Sequence, residues 1–116
     1  MAFTALEQRH VQEVLEDFLP RRRPPAEIRN EVDLVADIDG QAMELLEVRP
    51  AWRGPPGETT RLGIAKIRYV RRHDHWRLYW MRRDLRWHAY APHPITATLR
   101  EALEIVDEDA YACFFG

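Results

Sequence analysis

Between Ile64 and Tyr90, cationic and aromatic side chains recur at alternate positions: Lys66 and Arg68, then Arg77 and Tyr79, then Arg86, His88 and Tyr90. In extended backbone, residues two apart share a face. A strip of this kind suits a polyanion. The four cations would contact phosphate, and Tyr79, His88 and Tyr90 would stack on bases, at roughly 1–3 kcal/mol per stacked base. Single-strand binders commonly display aromatics on an open sheet in this way. The strip lacks the consensus of an RNA-recognition module, and a solvated outer strand face also carries Tyr and Arg.

A second chemistry is spelled by acidic residues. Asp33 or Asp37 followed by Glu47-Val48-Arg49 approximates the acidic residue and Glu-x-Lys of metal-dependent nucleases. The alternative reading is therefore a nuclease-like hydrolase in which Asp33, Asp37 and Glu47 hold a divalent metal. Arginine replaces the lysine, and arginine does not surrender a proton to act as a base. His73-x-His75 straddles a turn, with His88 and His93 elsewhere, and no third and fourth ligand follow at zinc spacing. There is no serine elbow, phosphate loop or dinucleotide fingerprint. The sequence thus names no catalytic residue, no metal site and no cofactor, and the expectation is a non-enzymatic binding module.

The strip needs a sheet. Ala65, Ile67 and Tyr69 share one side of a first strand, and Trp76, Leu78 and Trp80 share one side of a second, with His73-Asp74 as a two-residue turn. Arg83-Asp84 as the next turn sets Leu85, Trp87 and Ala89 on the core side of a third strand. The pairing is then Ile67 with Trp80, Tyr69 with Leu78, and Trp80 with Trp87. Side-chain parity between strands hangs on turn length, since one extra residue flips a strand. Upstream, Ile28, Val32, Leu34, Ala36 and Ile38 alternate with charged residues, and Asp39-Gly40 reads as a hairpin turn. That turn sets Ala36 against Met43, Leu34 against Leu45 and Val32 against Glu47. Glu47 and Arg49 then fall on the apolar side, where a charge must be paired; they read as an ion pair at the end of the core or as the lining of a pocket. Pro50 to Arg61 reads as a Pro- and Gly-rich loop bearing Trp52.

Helices flank the strands. Phe3, Leu6, Val11, Val14, Leu15 and Phe18 recur at helical spacing, Thr4 and Glu7 match a capping box, and Pro20 predicts the helix end. His10 sits near the apolar edge and reads as packed. Arg21-Arg22-Arg23-Pro24-Pro25 reads as a stiff basic connector. A second helix is expected to begin at Pro94, with Ile95, Leu99, Ala102, Leu103 and Val106 apolar. Asp107, Glu108 and Asp109 crowd its C-terminal end, against the macrodipole. The aromatic tail Tyr111–Gly116 is expected to dock on the sheet or cover an interface. The fold class is α+β: an antiparallel sheet of about five strands, a hairpin plus a three-stranded meander, covered on one face by N- and C-terminal helices.

The 116 residues fit a single domain, 1–116. The net charge of −2 conceals segregation: residues 61–93 carry 9 basic and 2 acidic side chains, against 7 and 12 in residues 1–60 and 1 and 5 in residues 94–116. Such asymmetry marks a nucleic-acid or acidic-partner surface, or acidic flanks pairing with a basic middle inside one fold. One cysteine, Cys113, precludes an intramolecular disulfide. No signal peptide or apolar run of about 20 residues is present, so no membrane association and a cytoplasmic location are expected.

Glu47-Val48-Arg49-Pro50, Ile64-Ala65-Lys66-Ile67-Arg68-Tyr69, the run Trp76–Tyr90 and the terminal Cys113-Phe114-Phe115-Gly116 together resemble a small bacterial family, the domain of unknown function 3024. The family's usual lysine before Trp87 is Arg86 here. The resemblance spans nearly the whole chain and implies a stand-alone domain, with no catalytic residues. The partners expected are nucleic acid or another acidic partner, or a second copy in a homodimer.

Overall fold

The computed structural model describes residues 2–116. Helix α1 (Ala5–Arg22) opens on a capping box: the Glu7 amide donates to Thr4 Oγ1 (3.1 Å) and the Thr4 amide to Glu7 Oε1 (2.9 Å). Val11, Val14, Leu15 and Phe18 are buried, whereas Leu6 and His10 face solvent, so the apolar face is narrower than the spacing predicts. Pro20 does not end the helix. It lies in the last turn, where Arg21 Nε donates to the Asp17 carbonyl (3.1 Å) and the Arg23 amide to the Leu19 carbonyl (2.8 Å). Arg22 is anchored from outside, over the Phe115 ring (4.0 Å) and against Asp107 (2.8 Å). Tertiary contacts here outweigh the proline penalty.

The alternation at Ile28 predicts a strand too early. Ala26–Ile28 form one turn of 3-10 helix, and β1 (Asp33–Asp39) starts where Arg23 clamps Asp33 through two hydrogen bonds (3.0 and 2.8 Å). β1 pairs antiparallel with β2 (Ala42–Pro50), with Asp39 opposite Ala42. The turn is therefore Gly40-Gln41, one residue later than expected. Gly40 supplies φ +60° at the first central position, the pattern of a II′ turn. Pairing shifts by two, to Ala36 with Leu45 and Leu34 with Glu47, which preserves which residues share a face.

β3 (Thr59–Val70) starts earlier than predicted and continues the ribbon up to Pro50, so the connecting loop shrinks to residues 51–58. Trp52 in that loop is 82% exposed, beneath the Arg53 guanidinium (4.7 Å). A bulge between Leu45 and Leu46 tucks the extra residue, Ile64, into the core. One 3-10 turn (Arg71–His73) and a left-handed Asp74 connect β3 to β4 (His75–Met81). This longer turn again moves the register by two, pairing Ile67 with Leu78 and Tyr69 with Trp76.

The next turn has an odd surplus. Arg82 bonds back to Arg86 across the three-residue loop Arg83-Asp84-Leu85, with Leu85 at φ +61°. Type I turns followed by a left-handed residue make three-residue hairpins of this form. Asp84 holds the loop by accepting from the Arg86 amide (3.0 Å) and the His88 ring (2.8 Å). The single added residue turns β5 (Trp87–Ala89) over relative to expectation. Trp80 faces His88, not Trp87, and Met81 faces Trp87. Leu85 and Ala89 are exposed, and Tyr90 enters the core.

Pro94 precedes a two-residue strand, β6 (Ile95–Thr96), beside β4, and the last helix α2 (Leu99–Glu108) begins only after the Thr98 cap. Sheet order is β1-β2-β3-β4-β5, with β6 also on β4. Both helices pack on one face: Phe3, Val11, Val14, Leu15 and Phe18 with Leu99, Leu103 and Val106 enclose Leu34, Met43, Leu45, Ile67, Trp76, Leu78 and Tyr90. The acidic end of α2 is matched by partners. Asp107 pairs Arg22, and the left-handed Asp109 (φ +46°) accepts the amides of Phe114, Phe115 and Gly116 (3.0, 2.9 and 3.2 Å). This curls the tail so that Phe114 meets Tyr90 at 4.8 Å. Among the described residues, no helix is long and apolar enough to cross a membrane.

Candidate functional site

Among the described residues, no helix covers the other face of the sheet. Its side chains follow from the register. Successive rows across β1 to β5 read Val35, Leu46, Gly63 and Trp87 beside Met81; then Asp37, Glu44, Lys66, Tyr79 and Ala89; then Asp39, Ala42, Arg68 and Arg77, with Ile95 of β6 beyond. Lys66, Tyr79, Met81 and Trp87 are half-buried against their neighbours, and Arg68 and Arg77 are exposed.

Of the seven residues in the predicted strip, Lys66, Arg68, Arg77 and Tyr79 are together: Lys66 lies opposite Tyr79, and Arg68 opposite Arg77. The other three are not on this face, because the three-residue turn inverts β5. Tyr90 is 1% exposed, beneath Phe114, and burial pushes its phenol pKa up, so no base can stack on it. His88 lies beside Trp80 on the helix side and bonds Asp84, whose carboxyl the imidazole holds below its usual range. Arg86 is exposed at the hairpin end, with the parity of His88. Trp87, expected in the core, takes their place on the outer face. Its ring edge lies over Gly63, so close that a Cβ there would fall 2.7 Å from Cη2 and 2.8 Å from Met81 Cε. A glycine inside a strand, Gly63, is the one signal of a close approach there; the turn length that brings Trp87 over it was not legible.

Charge on this face is divided. Asp37, Asp39 and Glu44 occupy the β1–β2 half, and Lys66, Arg68 and Arg77 the β3–β4 half. Acidic flanks neutralise little of the basic middle. Of its nine cations, Arg61 pairs Asp37 (2.8 Å) and Arg71 pairs Glu7 (2.7 Å). Among the described residues Lys66, Arg68 and Arg77 are in no ion pair within 4.0 Å, although Glu44 stands opposite Lys66 across the β2–β3 ladder. Arg68 and Arg77 therefore confront each other as like charges on neighbouring strands, an arrangement that destabilises a sheet.

The carboxylates of the hydrolase reading do not converge. Asp33 is bound by Arg23, which holds its carboxyl below the usual range; Asp37 is bound by Arg61; and Glu47 is bound by Arg49 at 2.7 Å. Glu47 lies opposite Leu34, so its side chain leaves the sheet on the face opposite to Asp33 and Asp37. Among the described residues, no group of three His, Cys, Asp or Glu side chains is placed to hold a metal ion. Glu47 and Arg49 form one of the two arrangements expected, an ion pair, and Glu47 also lines a small pocket with Arg22, Val32 and Phe115.

Neither a curated protein nor a solved structure matches the chain. Over residues 3–116 it matches the family described as a domain of unknown function, DUF3024, and it belongs to that family.

Proposed function

We propose that the protein is a non-enzymatic binding module that takes a polyanion, nucleic acid in particular, on the β3–β4 half of its uncovered sheet face. The observation that carries this reading is the Arg68–Arg77 confrontation beside Lys66, with no carboxylate within ion-pair distance of the three. Local rules are broken most often where a protein needs the broken arrangement. A phosphate between the two guanidiniums converts the repulsion into two charge-assisted contacts. One phosphate shared by Arg68 and Arg77 and one on Lys66 predict a log–log salt slope of about −1.4 for a single strand, or about 7-fold weaker binding at 200 mM than at 50 mM salt. The test is a titration of labelled RNA and DNA across that range with wild type and Arg68→Ala/Arg77→Ala. The slope should fall to about −0.7 in the variant. Absence of binding at 50 mM salt would overturn the reading.

A second reading has its own support. An acidic half beside a basic half is self-complementary about a two-fold axis running along the strands, which lays β1–β2 of one copy over β4–β5 of another. Val35, Leu46, Met81 and Trp87 would supply the apolar contact. Solution mass decides it: a dimer that Arg68→Ala/Arg77→Ala dissociates favours this reading, and a monomer at micromolar concentration removes it.

A further inference from the structure

Resting on the polyanion reading above, we infer that the face selects single-stranded over duplex nucleic acid and that Trp87 is its base-stacking platform. Three rows follow the strand direction, at intervals of roughly 7 Å or two residues along β4. Arg68 and Arg77 form the first, Lys66 and Tyr79 the second, and Gly63 with Met81 and Trp87 the third. Phosphate-binding groups at one end thus lead to aromatic groups at the other within a span of two to three nucleotides.

Two features exclude a duplex. Base pairs show only their edges, inside grooves about 12 and 6 Å wide, and a five-stranded sheet, roughly 19 Å across at about 4.8 Å per strand spacing, enters neither. Tyr79 and Trp87 would then touch no base. The strip is also narrow. Asp39 and Glu44 border it on the β1–β2 side of the same face, where a second phosphate backbone would meet like charge. A single strand carries one backbone and free ring faces, which matches a strip of cations ending in aromatics.

Trp87 is the platform because of what lies beneath it. Gly63 leaves no Cβ, and the indole edge settles over the vacated backbone beside Met81, with the residue half-buried. A ring whose edge is already fixed against the sheet loses little freedom when a base stacks on it.

The full chain is titrated by fluorescence anisotropy with a labelled single-stranded octamer of thymidine, with a duplex of the same length, and with heparin, each at 50 and 200 mM salt. Trp87→Ala and Trp87→Phe are compared with wild type. Circular dichroism melts of both variants confirm folding. The single strand should bind at least about tenfold more tightly than the duplex. Trp87→Ala should weaken it roughly 5- to 150-fold, the loss of one stacked base, with an unchanged salt slope, and Trp87→Phe should restore most of the loss. Equal binding of strand, duplex and heparin, unaffected by Trp87→Ala, overturns this inference and leaves the polyanion reading standing. No binding of any of the three at 50 mM overturns both.

Discussion

Reversing one charge on the outer face should make the protein more stable and less able to bind. Arg77 stands directly opposite Arg68, at the roughly 4.5–5.5 Å Cβ separation of cross-strand neighbours. Like charges so placed destabilise, and opposite charges contribute roughly 0.2–1 kcal/mol. Arg77→Glu removes the repulsion and installs an attraction, a change of about 1 kcal/mol. The weaker strand preference of glutamate offsets a few tenths of that. The net gain of about 0.5–1 kcal/mol corresponds to a Tm rise of about 2–4 °C for a chain of this size. The gain should shrink in 1 M salt, where charges are screened within about 3 Å. Arg77→Thr, which removes the repulsion and adds no attraction, should rise by about half as much. Calorimetry at 20 mM and 1 M salt measures the stability. The titration described above measures the binding, whose salt slope should fall to about −0.7 as the introduced carboxylate neutralises Arg68. A fall in Tm for both variants would refute the reasoning, because Arg77 would then be serving the fold and no strain would be left for a ligand to relieve.

Tyr90→Ala should cost about 3–5 kcal/mol in urea denaturation, since the ring fills the core beneath Phe114, whereas His88→Ala at the exposed hairpin should cost under about 1 kcal/mol; equal effects would mean that β5 has the opposite facing. Glu7 has its carboxyl lowered from 4.5 to about 2, chiefly by its hydrogen bonds from Arg71 and next by the Thr4 amide. A depressed folded-state pKa adds stability that is complete above the unfolded value and is lost on acidification, so Tm should fall between pH 4.5 and 2, and Glu7→Gln should remove that part of the fall. Asp109→Ala forfeits a carboxylate that accepts three amides and places alanine at φ +46°, costing about 2–4 kcal/mol, and Asp109→Asn should recover roughly half; nuclear magnetic resonance should show Phe114 leaving the Tyr90 ring in the alanine variant only.

Alternation was enough to read which residues share a face within each strand, because that depends only on extended backbone. Leu34, Met43, Leu45, Ile67, Trp76 and Leu78 are in the core as their spacing requires. Two of the three turns differed from expectation by an even step, which moved partners along the ladder and left faces intact. The third differed by one residue, and with it Arg86, His88 and Tyr90 left the strip while Trp87 joined it. The signal for that turn was weak. A left-handed Leu85 is no usual turn residue, and the loop is held by Asp84 bonding the Arg86 amide and the His88 ring, contacts that exist only once the chain has folded. Pro20 and the acidic end of α2 were opaque for a related reason: each breaks a local rule, and each is answered by a partner distant in sequence, Phe115 under Arg22 and Arg22 against Asp107.

Rules broken locally therefore fall into two sets. Pro20, Asp107, Asp109 and Glu47 are each matched by a contact inside the fold, which offsets their cost. Arg68 and Arg77 are not: the nearest acidic row on their face stops at β2, and the ion-paired carboxylates of α1 and α2 hold Arg21, Arg22, Arg71 and Arg100 instead. Neither rearrangement of the helices nor the tail brings an acid across, since both pack against the opposite face. On the proposed reading, what answers these arginines approaches from solvent and carries negative charge.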